Sequence, residues 1–156
     1  MQVHSLEFDD FSDNNYVLIG IHTVLEECKL AYSLNKNLKT KFQKAAYNLD
    51  FENKNNNASF SIYEFLNSKF SHNWFLISNT YKYKSNDQQA GLFQNEETIT
   101  YLIPEKKKVD FFLKLEGDFE QKFIDELVET MNLLSQVITT YKIDPNKLKS
   151  KDFLIF

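Results

Sequence analysis

The spacing of hydrophobic and polar residues divides the chain into strands and helices. Residues 16–22 (YVLIGIH) form a nearly continuous apolar run with β-branched residues, which is typical of a central strand buried on both faces. Residues 59–66 and 74–83 are rich in Phe, Ile and Tyr and are joined by a polar stretch, so they predict an antiparallel hairpin. Further strands are predicted over residues 3–8, 40–51 and 137–143, and a polar loop over residues 84–94.

Two stretches show the three- and four-residue spacing of apolar positions that predicts helices. The first has a capping-box pattern from Thr23 to Glu26, and its helix is expected to end between Asn35 and Leu38. Its predicted apolar stripe is Val24, Cys28, Ala31, Tyr32 and Asn35, widened by Leu25 and Leu34. The second helix is expected to be capped by Asp118. Its predicted stripe is Phe119, Phe123, Leu127, Met131 and Leu134, widened by Ile124 and Val128.

Residues 98–117 (TITYLIPEKKKVDFFLKLEG) contain the most distinctive charged segment. Pro104 lacks a backbone donor and is expected to end a strand, the lysines after it to form a turn, and residues 108–116 to form a second strand. The favoured interpretation is a β-hairpin with a solvated tip, in which Asp110 stabilises the turn. The alternative is that Glu105 and Asp110 form a carboxylate pair for acid–base chemistry. One face of the second strand is predicted to carry Val109, Phe111, Leu113 and Leu115.

The order of these elements predicts the fold class. A strand, a helix and another strand follow one another at residues 16–51 and again at residues 108–143. Two such units predict an α+β fold of split β-α-β (ferredoxin-like) units, with the hairpin strands inserted between them. The sheet is expected to be mostly antiparallel, with the two main helices on one face, in a single domain over residues 1–156.

This fold also predicts one candidate ligand site. If the first strands of the two units are neighbours, both helix N-termini open at the same end of the sheet, where backbone N–H groups favour a small anion. The residues expected to meet there are His22, Thr23, Gly117 and Asp118. His22 suits an anion site or a general base, and the alternative is a structural, hydrogen-bonded histidine. The three histidines show no metal-ligand spacing, so neither a metal nor a cofactor is predicted.

Composition narrows the classes of function. All 18 basic residues are lysines, so no side chain can make the planar bidentate contact of arginine with phosphate. The net charge of -4 gives no basic footprint for nucleic acid. The one cysteine, Cys28, cannot form an intramolecular disulfide and is expected to be buried and inert. With no secretory signal and no apolar run of about 20 residues, a cytoplasmic protein that does not span a membrane is expected.

Residues 103–111 (IPEKKKVDF) resemble the signature of the IPExxxVDY family. The matching residues are Ile103, Pro104, Glu105, Val109 and Asp110. Phe111 stands where the pattern has tyrosine, so this chain has no hydroxyl there. Similar segments occur at residues 18–23 (LIGIHT), 30–32 (LAY), 74–78 (WFLIS) and 148–156 (LKSKDFLIF), so the resemblance covers nearly the whole chain. The resemblance implies a bacterial, cytoplasmic protein and does not imply a particular activity.

These observations favour a non-catalytic interaction or regulatory module over an enzyme. A protein partner is expected, or self-association through an exposed strand edge or through the apolar residues 153–156 (FLIF). The first alternative is a sensor of a small anion or metabolite at His22 and Asp118. The second is an RNA-associated accessory protein that stacks bases on aromatic residues of the hairpin. The residues considered for such stacking are Phe60, Tyr63, Trp74, Tyr81 and Tyr83.

Overall fold

The computed structural model describes residues 16–52, 57–84 and 97–156. The strand predicted over residues 3–8 and nearly all of the loop predicted over residues 84–94 lie outside this range. The described helices are α1 (Glu27–Leu38) and α2 (Gln121–Asn132), with short 3-10 turns at Pro104–Lys106, Pro145–Lys147 and Lys151–Leu154. The described strands are β1 (Tyr16–Thr23), β2 (Gln43–Lys44), β3 (Leu49–Glu52), β4 (Asn57–Phe60), β5 (Ile62–Asn67), β6 (His72–Ser78), β7 (Thr80–Lys84), β8 (Glu97–Tyr101), β9 (Phe111–Glu116) and β10 (Val137–Ile143).

Six of these strands form one antiparallel sheet in the order β10-β1-β9-β6-β5-β2. The pairs β3-β4 and β7-β8 form two small sheets of their own. Strands β9 and β10 run in the same direction with β1 between them, so β9, α2 and β10 make a split β-α-β unit. β1, α1 and β2 make the other unit, with β9, β6 and β5 between its strands. The predicted α+β fold is confirmed.

Each face of the six-stranded sheet has its own hydrophobic core. On one face, alternate residues such as Ile19 and Leu113 pack against both helices. On the other face, Leu18 and Phe112 pack against residues of the small sheets and of the segment after β10. Neighbouring residues of one strand therefore belong to different cores, as the two-residue period of a strand requires. The expectation that both helices lie on one face is confirmed.

Both helices begin later than their capping patterns predict. α1 begins at Glu27 and α2 at Gln121, and neither has a side-chain hydrogen bond at its N-cap. The predicted capping box at Thr23 and the predicted cap at Asp118 are therefore wrong. Thr23 is the last residue of β1, and its hydroxyl donates to the Gln136 carbonyl in the turn before β10 and does not accept from the amide of Glu26.

The buried face of α1 also differs from the predicted stripe. Its buried residues are Leu30, Ala31 and Leu34. Cys28 and Tyr32 are exposed, so the expectation that Cys28 is buried is wrong. Ala31 and Leu34 belong to the predicted stripe, whereas Leu30 does not, and the predicted Val24 lies in the turn before the helix. For α2, the buried residues Ile124, Leu127 and Met131 all belong to the predicted stripe.

Residues 98–117 do not form the predicted hairpin. β8 pairs with β7, whereas β9 pairs with β1 and β6. Val109 packs in the core opposite to that of Phe111, so its predicted face is wrong. The predicted pairing of residues 59–66 with 74–83 is confirmed in β5 and β6. Breaks at Ser61 and Asn79 divide both strands, and β4 and β7 leave the main sheet for the small ones.

Candidate functional site

The four residues expected to form one ligand site lie at opposite ends of the sheet. β1 and β9 are neighbours, but they are antiparallel, with Tyr16 opposite Glu116 and Ile21 opposite Phe111. The step from residue 16 to residue 21 alone spans about 17 Å at about 3.4 Å per residue. His22 and Thr23 are at one end, and Gly117 and Asp118 follow β9 at the other. The predicted convergence is wrong, because each helix begins where its own strand ends.

Gly117 is explained by close packing of aromatic rings. Its φ of +136° is a backbone conformation that favours glycine, and a Cβ atom there would lie 2.5 Å from Cδ2 of His72. The His72 ring lies 4.3 Å from the ring of Phe119, centroid to centroid. The absence of a side chain at Gly117 thus lets His72 pack beside Phe119 at this end of the sheet.

Asn79 holds residues 103–111, which we call the IPE motif, from inside the protein. It is fully buried, and its Nδ2 donates to the carbonyl oxygens of Lys106 at 2.9 Å and Val109 at 2.8 Å. Its Oδ1 accepts from the amide of Ile103 at 2.8 Å. Its backbone amide donates to the Asp110 carbonyl at 3.0 Å. One side chain therefore satisfies three main-chain groups of the connection between β8 and β9, where the 3-10 turn leaves them without a sheet partner.

The two carboxylates of the motif hold two different segments. Oδ2 of Asp110 accepts from the amide of Thr23 at 2.9 Å. Glu105 accepts from both the amide and the hydroxyl of Ser150, at 2.8 Å and 3.0 Å. Each carboxylate thus anchors a separate part of the chain, which is a structural use that differs from both sequence interpretations. The remaining matching positions, Ile103 and Val109, are fully buried, and Pro104 begins the 3-10 turn.

The contact between Glu105 and Ser150 predicts a specific dependence of stability on pH. Burial alone would raise the pKa of the Glu105 carboxyl, but hydrogen bonds from the Ser150 amide, its own amide, the Ser150 hydroxyl and the Lys149 amide lower it. A lowered pKa in the folded state stabilises the fold above the unfolded-state pKa, and this contribution is lost as the pH falls through the folded-state value. We expect the difference in unfolding free energy between the wild type and Glu105→Gln to shrink below about pH 4.5.

Urea unfolding of both proteins across the acidic range measures this difference. Glutamine keeps the size of the side chain but does not titrate, so its own contribution stays constant. A difference that is independent of pH would show that the charge of Glu105 does not contribute to the contact with Ser150.

Thr23 connects the motif to the surface. Its hydroxyl donates to the Gln136 carbonyl at 2.7 Å and accepts from the amide of Leu25 at 3.1 Å. The amide of Val24 donates to the same carbonyl at 3.3 Å. Gln136 has a φ of 67°, which turns the chain from α2 into β10. Asp110 therefore fixes Thr23, and Thr23 ties the turn before α1 to the turn after α2.

Between these two turns lies a surface groove of about 430 Å³, which we call the α1 groove. Its walls are α1 and residues 133–136. Two large apolar side chains that line it are left in solvent, with exposed fractions of 69% for Tyr32 and 86% for Leu133. Among the described residues that line it, the charged ones are Lys29 and Lys36.

His22 points to the opposite side of the sheet from the helices. Its Nε2 lies 3.2 Å from the hydroxyl oxygen of Tyr141, and the side chain is half-buried. Tyr141 also lines a second cavity of about 510 Å³, which we call the motif pocket. Glu105, Lys106, Lys142 and Lys147 line the same pocket, so it lies beside the IPE motif. His22 is thus hydrogen-bonded, as expected for a structural histidine. It also lies close to a polar cavity, since its partner Tyr141 lines the motif pocket.

Other sequence expectations concern metals, membranes and exposed aromatic residues. Within residues 16–52, 57–84 and 97–156, no three His, Cys, Asp or Glu side chains cluster as metal ligands would. No helix in the same range is long and apolar enough to cross a membrane. Phe60 and Trp74, which were considered for base stacking, are buried.

Comparisons with protein-family models, with curated proteins and with solved structures found no match to this chain. A functional assignment therefore depends on the geometry of the groove, the motif and the pockets.

Asn79 is the important residue that the sequence pattern did not reveal. The signal available was the polar pair Ser78-Asn79, which interrupts the run of residues 74–83 at its centre.

Proposed function

We propose that the protein is a non-catalytic interaction module that binds an acidic, apolar segment of a partner protein in the α1 groove. The observation that carries the proposal is the exposure of Tyr32 and Leu133, together with the half-buried Leu25, along one concave surface. Scattered apolar residues are normal on a protein surface, but a group of large ones around a groove is typical of an interaction site. Amphipathic helices commonly bind in such grooves.

The charge of the groove favours an acidic partner. The chain as a whole is negative, with a net charge of -4, yet the charged lining residues of the groove are Lys29 and Lys36. Lys29 lies 3.6 Å from Glu26, but both side chains are largely exposed, and such surface ion pairs contribute little. The lysines can therefore exchange water for carboxylates of a partner, which steers the encounter and selects its orientation.

Hydrogen bonds from the IPE motif help to hold the walls of the α1 groove in place. The hydrogen bond from the Thr23 amide to Asp110 and the bonds from Thr23 to both turns fix the spacing of the groove walls. Membership of the IPExxxVDY family and a bacterial, cytoplasmic setting belong to the same proposal and rest on the resemblance of residues 103–111. In this proposal, the motif residues maintain a binding surface and take no part in a reaction.

Site-specific crosslinking in the native cell tests this function. A photocrosslinking amino acid at Leu133 is expected to capture a distinct partner, whereas the same group at Leu66, an exposed leucine on β5, is not. Reversing the charge with Lys29→Glu and Lys36→Glu should reduce the Leu133 product by about tenfold, which corresponds to about 1.4 kcal/mol of binding. Identical products from both positions, or a Leu133 product that survives charge reversal, would contradict the proposal.

The surfaces expected to mediate self-association are partly engaged within the chain. At the β10 edge, the side chain of Asn132 donates to the Thr140 carbonyl at 3.2 Å and accepts from the Thr140 amide at 2.7 Å. In residues 153–156, Leu154 is fully buried, and the ring of Phe156 lies 5.2 Å from the ring of Phe75. Self-association stays a prediction, and the proposed occupant of the α1 groove is a different protein.

A small-anion sensor is the second candidate, and the motif pocket is the observation that favours it. The pocket is lined by Lys106 and Lys147, by the carboxylates of Glu105 and Asp144, and by Tyr141, whose hydroxyl faces His22. This arrangement keeps the proposed role of His22 but separates it from Asp118. Titration with inorganic phosphate, followed by NMR at His22 and Tyr141, distinguishes this candidate from the interaction module.

A further inference from the structure

A third cavity lies on the sheet face opposite to the helices, and we call it the aromatic pocket. It has a volume of about 240 Å³ and is open to solvent on one side. Three separate parts of the chain meet around it: the β3-β4 pair, the end of β8, and the 3-10 turn Lys151–Leu154. Its apolar lining residues are Phe51, Ala58, Phe60, Tyr101, Leu102 and Phe153.

The walls of the aromatic pocket are held by edge-to-face ring contacts. The ring of Phe51 lies 5.9 Å from that of Phe60 and 4.9 Å from that of Phe153, and both pairs are close to perpendicular. Such arrangements stabilise aromatic clusters beyond the area that they bury. The space between the rings remains because Ala58, which is buried, has only a methyl group to place there. The pocket is thus a shaped cavity with fixed walls.

The chemistry of the lining selects neutral ligands. None of the described residues that line the pocket is charged, and Thr100 and Tyr101 supply hydroxyl groups. An ion would lose its hydration without gaining a partner of opposite charge among these residues, which is costly. Aromatic rings on several sides favour a flat ligand that can pack against their faces and edges.

The volume limits the size of the ligand. A cavity of about 150 Å³ lined by apolar side chains binds benzene, whereas drug-sized ligands occupy pockets of about 300–1,000 Å³. A volume of about 240 Å³ lies between these two cases. We propose that the aromatic pocket binds a small, neutral aromatic molecule of one or two rings.

Phe153 makes the proposed site dependent on the segment after β10. Its side chain forms one wall of the pocket and is still 43% exposed, which is a large apolar surface to leave in water. A ring bound against Phe153 would cover part of that surface. The ligand would therefore hold the segment in place while the same segment completes the site.

Thermal unfolding with indole as the probe tests the proposal on the full chain. We expect indole to raise the melting temperature of the wild type in a concentration-dependent manner, because a ligand that binds the folded state stabilises it. Indole-3-acetate, which carries a charge, should bind at least about tenfold more weakly, since its carboxylate has no partner in the lining.

Two aromatic residues of the same segment provide a matched pair of variants. Phe153→Ala removes a wall of the pocket, whereas Phe156→Ala removes a ring of similar exposure that does not line it, 43% against 41%. Indole should stabilise Phe156→Ala as it does the wild type, and its affinity for Phe153→Ala should fall about tenfold. Ala58→Leu should fill the cavity and abolish the response. No stabilisation of the wild type, or an equal response in Ala58→Leu, would overturn the proposal.

Discussion

Replacing Asn79 with alanine is expected to lower the free energy of unfolding by at least about 2 kcal/mol. The change removes two buried hydrogen bonds and one partly buried one. It leaves the Ile103 amide and the Val109 carbonyl without their side-chain partner, whereas the Lys106 carbonyl still accepts from the Val109 amide at 3.0 Å. Each buried polar group that loses its partner costs about 1–3 kcal/mol. Water entering the space left by the side chain would recover part of this loss, so the lower end of the summed range is the expected value.

Urea unfolding of Asn79→Ala measures this effect, with Asn37→Ala as the matched control. Asn37 is an exposed asparagine whose Nδ2 makes one hydrogen bond, to the Ser33 carbonyl at 2.8 Å, so its replacement should change stability by less than about 0.5 kcal/mol. Asn79→Asp keeps an acceptor for the Ile103 amide but sets a carboxylate against two carbonyl oxygens, and it should be at least as destabilising as alanine. A loss below about 1 kcal/mol for Asn79→Ala would mean that the motif is held by its buried apolar residues alone.

The Asn79→Ala variant also tests whether the α1 groove depends on the IPE motif. The variant loses the side-chain bonds to Ile103, Lys106 and Val109 but keeps the backbone bond from residue 79 to the Asp110 carbonyl. In the proposed arrangement, loss of the bond to Val109 loosens the neighbouring Asp110, whose carboxylate holds the Thr23 amide. Crosslinking from Leu133 in Asn79→Ala should therefore weaken together with the stability.

The arrangement of strands and helices could be predicted because it depends on local periodicity. The apolar run in β1 and the stripe of α2 report burial directly, and they indicated helices packed on a sheet. The buried face of α1 could not be predicted as well. Its phase depends on where the helix begins, and Thr23 offered a capping pattern that the structure uses for a turn contact.

The candidate site could be predicted only in part, because contacts between distant residues leave no local pattern. His22 and Thr23 do lie beside functional candidates, but their partners, Tyr141 and Gln136, come from β10 and from the turn before it. Asp118 lies at the other end of the sheet because β1 and β9 are antiparallel. Hydrophobic spacing contains no information about strand direction. Asn79 lies inside the strand predicted over residues 74–83, and no local pattern marks it, because a buried polar side chain is recognised only by the groups that surround it.

The buried ion pair between Lys114 and Glu116 should respond very differently to the loss of either partner. Lys114 is 3% exposed, and its Nζ lies 2.7 Å from Oε1 of Glu116. Three aromatic rings surround the ammonium group, at 5.0 Å for Tyr16, 5.6 Å for Phe75 and 4.4 Å for Phe156, measured to the ring centroids. Most of the stabilisation of this cation therefore comes from one carboxylate and from ring faces, with little contact with water.

Glu116→Gln is expected to lower the free energy of unfolding by about 2–3 kcal/mol, because it leaves a buried ammonium group without a counter-charge. The expected loss lies below the roughly 3–5 kcal/mol typical of fully buried pairs, since Glu116 is 35% exposed and the rings still attract the cation.

Lys114→Met should change stability by less than about 1 kcal/mol. Methionine fills a similar volume, packs well against aromatic rings and removes the cost of burying a charge. The double variant should resemble Lys114→Met in urea unfolding, since the glutamine then has no buried charge to leave unpaired. The reverse order, a stable Glu116→Gln and a strongly destabilised Lys114→Met, would show that the rings alone stabilise the cation and that its charge is required for the fold.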